Sequence, residues 1–516
     1  MPTTKAATPE PHDAAAVEAP ACDEVASDPR TLAAVEARVR RKLDTHVLLL
    51  LCFLCQLTKF RTIFQSSALM YHSLAGFLGS IKHRDGDELT CVVNSNARIA
   101  GMEEDLGLSS DQYEWLLTIF YIAYILFEPL IIVFKVLPAR TWIAILVLGW
   151  GIAATTQAAA QSWAGMMACR FFLAAFEAGY GPGAIYLLSF FYLRDELGLR
   201  IGIFFSCAPL ATCFAGALAY GITSGHAGIA NWRLLFLVEG APVLAMAVVT
   251  YFAMPNSAHQ AWFLNTEERS VALARQVKQV GKGARVGSLK WRETISILLD
   301  AKAWLTALMY FSCNVSYSSL PVFLPTILKD MGFSGLAAQG LSAPPYFASF
   351  LVTIGTTYIA DRTQQRGLTV IVMALLGGTG YVMLAAASTT AVRYAGVYLA
   401  AAGVFPTIAN ILPWVVNNQG SDERRGAGVV VLNLIGQCGP LLGTRVYPQD
   451  ERPNYTKGHG ICAAFMLFVA ILAVILRTLL VWENKRLAEK YEDDAVANDA
   501  HDDGVENYGP KFRYVL

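Results

Sequence analysis

Charge is scarce in this chain: 16% of its 516 residues are Asp, Glu, Lys or Arg, against about 25% in soluble domains. Neither sign is in surplus. The 40 basic residues balance 40 acidic ones, so no overall basic field points to nucleic acid. The eight histidines never fall at metal-ligand spacing, and no metal or cofactor is expected. Ten cysteines build no disulfide framework. Cys52, Cys55, Cys169, Cys207, Cys213, Cys313, Cys438 and Cys462 lie in or beside apolar runs, where cysteine acts as a small hydrophobe. A membrane enzyme would need His, Asp or Cys clustered at a membrane edge. None is there, so the chain is not expected to be an enzyme. Residues 1–45 are rich in Ala, Glu and Asp and lack an apolar core, which excludes a cleavable signal. They are expected to form a disordered cytoplasmic tail.

What the chain has instead is apolar length. Hydrophobic residues make up 55% of it and lie in blocks of about 20, the length of a bilayer-crossing helix. Blocks without two-residue alternation argue for helices, and only helices or closed barrels satisfy their backbone in lipid. Twelve such blocks predict an all-α membrane protein of two six-helix bundles, 46–254 and 303–482. The polar, basic stretch 255–302 forms a cytoplasmic linker and 483–516 a cytoplasmic tail. Arg38, Arg40, Arg41, Lys42, Arg140, Arg194, Arg200, Arg362, Arg366, Arg424 and Arg425 all fall at one end of this arrangement. By the positive-inside rule both termini are then cytoplasmic, with the plasma membrane as the expected location and a monomer as the expected state.

The two bundles repeat each other. "EAGYGPGAIYLLSFFYLRDELGLRIG" (177–202) lies over "AAGVFPTIANILPWVVNNQGSDERRG" (401–426) at an offset of 224. Gly179 falls on Gly403, Pro182 on Pro406, Arg200 on Arg424 and Gly202 on Gly426. Gly179, Pro182, Gly183 and Pro406 read as structural or gating positions. Proline cannot donate to the carbonyl four residues back, so a broken helix is expected near mid-membrane in each half, a known pointer to a binding site. The charges are not repeated: Arg170 falls on Tyr394 and Glu177 on Ala401. Arg170 and Glu177 are seven residues apart, about 10.5 Å along one helix face. An ionisable group there costs about 2.5–3.5 kcal/mol and is functional by default. Glu177 is read as the proton-coupling carboxyl and Arg170 as a fork of donors for a carboxylate. The alternative is that each pairs with another helix and only holds the bundle together.

Other polar groups are candidates of lower rank. Asn314, Tyr317, Tyr346, Asn410 and Trp414 are read as substrate-binding, although a polar group in such a helix is about as often a helix–helix tie. Glu128 reads as a gate or as a solvated helix end. Asp361 and Arg362 read as a charge latch or as a plain solvated turn.

"NARIAGMEEDLGLSSDQYEWLLTIFYIAYILFEPL", "RFFLAAFEAGYGPG", "NWRLLFLVEGAP" and "FPTIANILPWVVNNQGSDERRG" resemble the anion:cation symporter family of the major facilitator superfamily. The resemblance is to its fungal allantoate and nicotinate permease branch, and it covers about residues 94–490. It implies alternating access and proton-coupled uptake of a small organic anion such as nicotinate, with Arg170 binding substrate and Glu177 coupling the proton. One departure stands out. The family's first helix carries an Asp-Arg pair running straight into the "NARIAGM" motif. Here Arg61 alone stands for the arginine, the aspartate is absent, and the atypical segment 62–93 intervenes with no clear period. That segment reads as a misjoined stretch of coding sequence, such as a retained intron, in preference to a true insertion. A nutrient sensor that binds without transporting, or an exporter of the same fold, are the rival readings.

Overall fold

The computed structural model describes residues 29–57, 102–223, 229–280, 296–332, 335–419, 422–443, 445–447, 451, 453–492 and 512–516. Arg61 and 62–93 lie outside them. Among the described residues every regular element is helical. The first half holds α1 (29–57, with a π-helical turn at Asp44–Leu48), α2 (Met102–Leu106), α3 (Ser110–Phe127, continued by a 3-10 stretch Glu128–Lys135), α4 (Ala139–Thr156), α5 (Trp163–Phe191), α6 (Leu197–Thr223) and α7 (Asn231–Ala253). The linker contains α8 (Thr266–Val280). The second half holds α9 (Ala301–Asp330), α10 (Gly335–Thr363), α11 (Arg366–Ala386), α12 (Thr390–Asn417), α13 (Asp422–Gly436), α14 (Cys438–Gly443) and α15 (Thr456–Glu492).

Local chemistry starts these helices where they start. Ser109 and Gln112 exchange side-chain bonds with each other's backbone N–H to cap α3, a capping box. Ser162 accepts from Gly165 N at the head of α5. Large apolar side chains such as Leu126, Phe172, Phe252, Leu351 and Ile471 are exposed around the outside, the surface a lipid-facing protein needs. Close packing inside rests on small residues. Gly377 faces Gly403 and Gly380 faces Gly396, which brings the backbones of α11 and α12 into contact.

Among the described residues seven helices are long and apolar enough to cross a membrane, with shorter apolar helices at Thr118–Phe134 and Leu197–Cys213. α9 and α10 are of like length, at 30 and 29 residues; α9 is diluted by polar side chains such as Ser312, Asn314, Ser316, Ser318 and Ser319. Three expectations change. The first helix starts at Pro29 rather than 46; Val35, Val39 and Leu43 form a buried stripe, while Lys42 reaches Glu268 of α8 at 2.7 Å. α15 runs to Glu492, beyond the expected 482, and Glu483 pairs with Lys302 at 2.9 Å. Last, α5 and α12 are continuous through Pro182 and Pro406. Both prolines are buried within these helices.

The internal repeat is physical. Arg200 bonds Asp44 at 3.0 and 2.9 Å, and Arg424 bonds Asp300 at 2.7 Å. In each half the arginine closing the repeated motif thus ties back to an aspartate at that half's first long helix. At the same basic end the halves meet. α6 packs along α10, with Gly202 leaving room for Thr357. Asp361 accepts from the Leu199 N–H in the first turn of α6.

Candidate functional site

α5 carries Glu177 into a cavity of about 130 Å³ between the halves, far above the 10–15 Å³ one water needs. The first half contributes Tyr121 and Tyr124 of α3, Glu177, and Phe205 of α6 to its wall; the second contributes Tyr310, Asn314 and Tyr317 of α9, Phe405 of α12 and Gln437. The motif around Glu177 is a steric device. A Cβ on Gly181 would come within 2.9 Å of the Tyr124 hydroxyl, Gly179 makes room for Leu146, and Gly183 makes room for Phe134. The glycines therefore let α3 and α4 close on α5 and set the Tyr124 phenol beside the cavity. On the opposite wall Gly439 lets its helix reach the Phe311 carbonyl, where a Cβ would stand at 2.5 Å. Asn314 Nδ2 donates to Gly436 O at 3.2 Å, which fixes which end of its amide faces the neighbouring helix. Tyr317 meets Phe405 edge to face at 5.0 Å.

The predicted residues divide. Glu177, Asn314 and Tyr317 line the cavity. Arg170 is buried at 2% exposure, but two turns along α5 it is not among the described wall residues. Tyr346, Asn410 and Trp414 are buried elsewhere. Tyr346 stands behind Phe405 at 5.8 Å. Asn410 Nδ2 bonds the Pro406 carbonyl of its own helix at 2.9 Å. Trp414 Nε1 donates to Val515 O at 2.8 Å, at the basic end. Asn410 and Trp414 sit on α12, which reaches the cavity through Phe405 and Ile408, but on another face of it; Tyr346 sits on α10, which contributes none of the described wall residues.

Glu128 is not a solvated helix end: it has no exposed surface, and neither carboxylate oxygen has a hydrogen-bond partner. It stands one turn beyond Tyr124, in the 3-10 continuation of α3. Asp361 is latched, but to Arg366 rather than to Arg362. Arg362 turns back over the Tyr358 ring of its own helix, 5.5 Å from the centroid, whereas Arg366 lies fully buried beside Asp361. Tyr121, Tyr124, Tyr310 and Gln437 were missed as wall residues. The signal for two of them was present in "FYIAY" (120–124), whose tyrosines recur at helical spacing.

The wall offers one carboxyl, several phenols and two amides around aromatic faces. Groups of these kinds are chemically able to exchange a proton and to hold a small polar or aromatic molecule by hydrogen bonds and ring contact.

Residues 92–444 match the family model described as Major Facilitator Superfamily. The chain is 35% identical to the MFS transporter prlL of Fungal sp. (strain NRRL 50135) over 73% of this chain and 78% of that one. It is 26% identical to the high-affinity nicotinic acid transporter of Saccharomyces cerevisiae, covering 81% of this chain and 79% of that one. Among solved structures it resembles the E. coli fucose:proton symporter, with a TM-score of 0.56 at 14% identity, over 83% of this chain and 98% of that one.

Proposed function

The chain belongs to the major facilitator superfamily, and on that premise we propose that it takes up a small organic carboxylate together with protons, by alternating access. The observation that carries this is the place of Glu177: an acidic side chain, 4% exposed, on the wall of a cavity closed by helices of both halves. In the proposed cycle the cavity opens outward, a proton neutralises Glu177, and the anion enters. Asn314 and the wall tyrosines donate hydrogen bonds to it, and Arg170, farther out on α5, draws it in by charge. With charges balanced the halves rock, the basic end opens to the cytoplasm, and the higher pH there strips Glu177. One proton falling through two pH units supplies about 2.7 kcal/mol, roughly a hundredfold accumulation.

The similarity to a nicotinic acid transporter and the aromatic wall favour an aromatic carboxylate such as nicotinate as cargo. Both termini are read as cytoplasmic, in the plasma membrane. The test is uptake of labelled nicotinate and other small acids in cells lacking their own carriers, with and without a proton gradient. Glu177→Gln is expected to abolish accumulation driven by the gradient while leaving exchange of internal for external substrate. Accumulation by Glu177→Gln with the parent's pH dependence would remove the coupling role.

A further inference from the structure

Phe512–Leu516 lies extended against the basic end, and its backbone is held by side chains from the second half. Tyr514 N donates to Asn484 Oδ1 at 2.8 Å, and Asn484 Nδ2 donates to Tyr514 O at 2.9 Å. Asn418, just past α12, does the same for Val515, accepting at 2.8 Å and donating at 3.0 Å. Trp414 Nε1 adds a bond to Val515 O, and Gly367 N donates to Leu516 O at 3.0 Å. Phe512 is 1% exposed. Lys302 stands 5.0 Å from the Tyr514 ring centroid. Two asparagines that each satisfy both the donor and the acceptor of one residue are a peptide-binding device.

One set of contacts comes from the other half. Arg194, between α5 and α6, donates to Arg513 O at 2.7 Å. Its guanidinium lies 4.4 Å from the Phe512 ring centroid, and it reaches Asn418 Oδ1 at 3.5 Å. Arg194 and Asn418 are separated by the 224 residues that relate the two repeats. Two equivalent positions thus meet at the seam, and the strand lies over both.

We propose that Phe512–Leu516 is a clamp. Docked on the second half, it holds Arg194 of the first and stabilises the conformer in which the basic end is shut. The proposal rests on the carrier reading only in that the halves must part there; it concerns neither the cargo nor the proton. Parting breaks the charge-assisted bond from Arg194 and its ring contact, or else pulls the strand from its asparagines. The strand therefore sets the ratio of the two conformers and, through it, how readily the cavity opens on that side.

The test uses the full chain in lipid nanodiscs, with a protease site placed between 493 and 511 and spin labels on cysteines replacing Arg140 and Thr363, in a background whose accessible native cysteines are serine. Cutting after purification removes the strand from protein that has already folded. Before the cut, the Tyr514 and Val515 amides should be protected from hydrogen exchange. After the cut and washing, the ratio of long to short inter-label distances should rise at least fivefold, and synthetic Phe-Arg-Tyr-Val-Leu peptide should reverse it. Arg194→Ala should give a similar rise while the two amides stay protected. A ratio that stays within twofold after the cut overturns the clamp, whether the parent shows two distances or one. The carrier reading then stands or falls separately, on the uptake assay.

Discussion

Gly198→Ala offers a sharp test of how the basic end closes. Gly198 lies in the first turn of α6, where alanine is the better helix former by about 1 kcal/mol. On propensity alone the substitution stabilises the protein. The surroundings say otherwise for one conformer. A Cβ at Gly198 would overlap the Arg366 guanidinium and Asp361 Oδ1. Arg366 has no exposed surface into which to swing, so the Asp361–Arg366 pair must shift, and with it the bond from Leu199 N to Asp361. That bond crosses the two halves and exists only while this end is shut. Hydrogen bonds to charged groups contribute about 1.5–3 kcal/mol, so its loss should move the ratio of open to shut conformers by roughly 10- to 100-fold. Inter-label distances between positions 140 and 363 measure the ratio, and a thermal melt measures the fold. The expected result is a large shift toward the open basic end with little or no loss of melting temperature. A ratio within twofold of the parent would refute the latch as the closing contact.

The remaining predictions concern two carboxyls. Glu128→Gln replaces a buried acid that has no hydrogen-bond partner on either oxygen with a neutral amide of the same size; it should melt within about 3 °C of the parent, since surrogate groups of like size and charge cost little, while uptake falls at least tenfold if Glu128 gates the path below Tyr124. Uptake near the parental rate would demote Glu128 to a packing residue. Glu268, in the linker helix, is held below the usual carboxylate range: burial pushes it up, but the bonds from Lys42 and Asn265 N outweigh burial. Because the folded value is depressed, the linker's attachment is fully present above the ordinary glutamate pKa of about 4.3 and is lost as pH falls through the lower, folded value. The amide protection factors of α8, taken against the intrinsic exchange rate at each pH, should therefore be flat from pH 7 to 5 and fall only in stronger acid, and Glu268→Gln should flatten that acid response.

Fold and site were legible in the sequence to different depths. Apolar block length and the 224-residue repeat sufficed for two helical halves, because backbone satisfaction in lipid leaves few alternatives. Glu177 was legible because an acid in an apolar run is costly wherever it points. Asn314 and Tyr317 do line the cavity, whereas Trp414, Asn410 and Tyr346 lie away from its described wall. On helices buried on every side, such as α12, hydrophobic periodicity carries no information about which face meets a cavity. The early start of α1 was hidden for the opposite reason. Its first turns are rich in charge and bury only a thin stripe, Val35, Val39 and Leu43, that is short of a membrane signal. Asp361 was seen, but its partner was assigned to the adjacent Arg362; five residues on, Arg366 is where the bend between α10 and α11 delivers a cation. The docking of the strand was not legible, since its partners are up to 319 residues away.

The matched ties of Arg200 to Asp44 and of Arg424 to Asp300 have a practical consequence. Each of these arginines fastens its loop to the leading helix of the same half, and α8 is anchored to the first half through Lys42–Glu268 and through Glu196, shared by Arg40 and Arg275. A gene divided after Val280 would therefore leave these ties whole, one set in each fragment, for anyone wishing to label one half isotopically and leave the other silent.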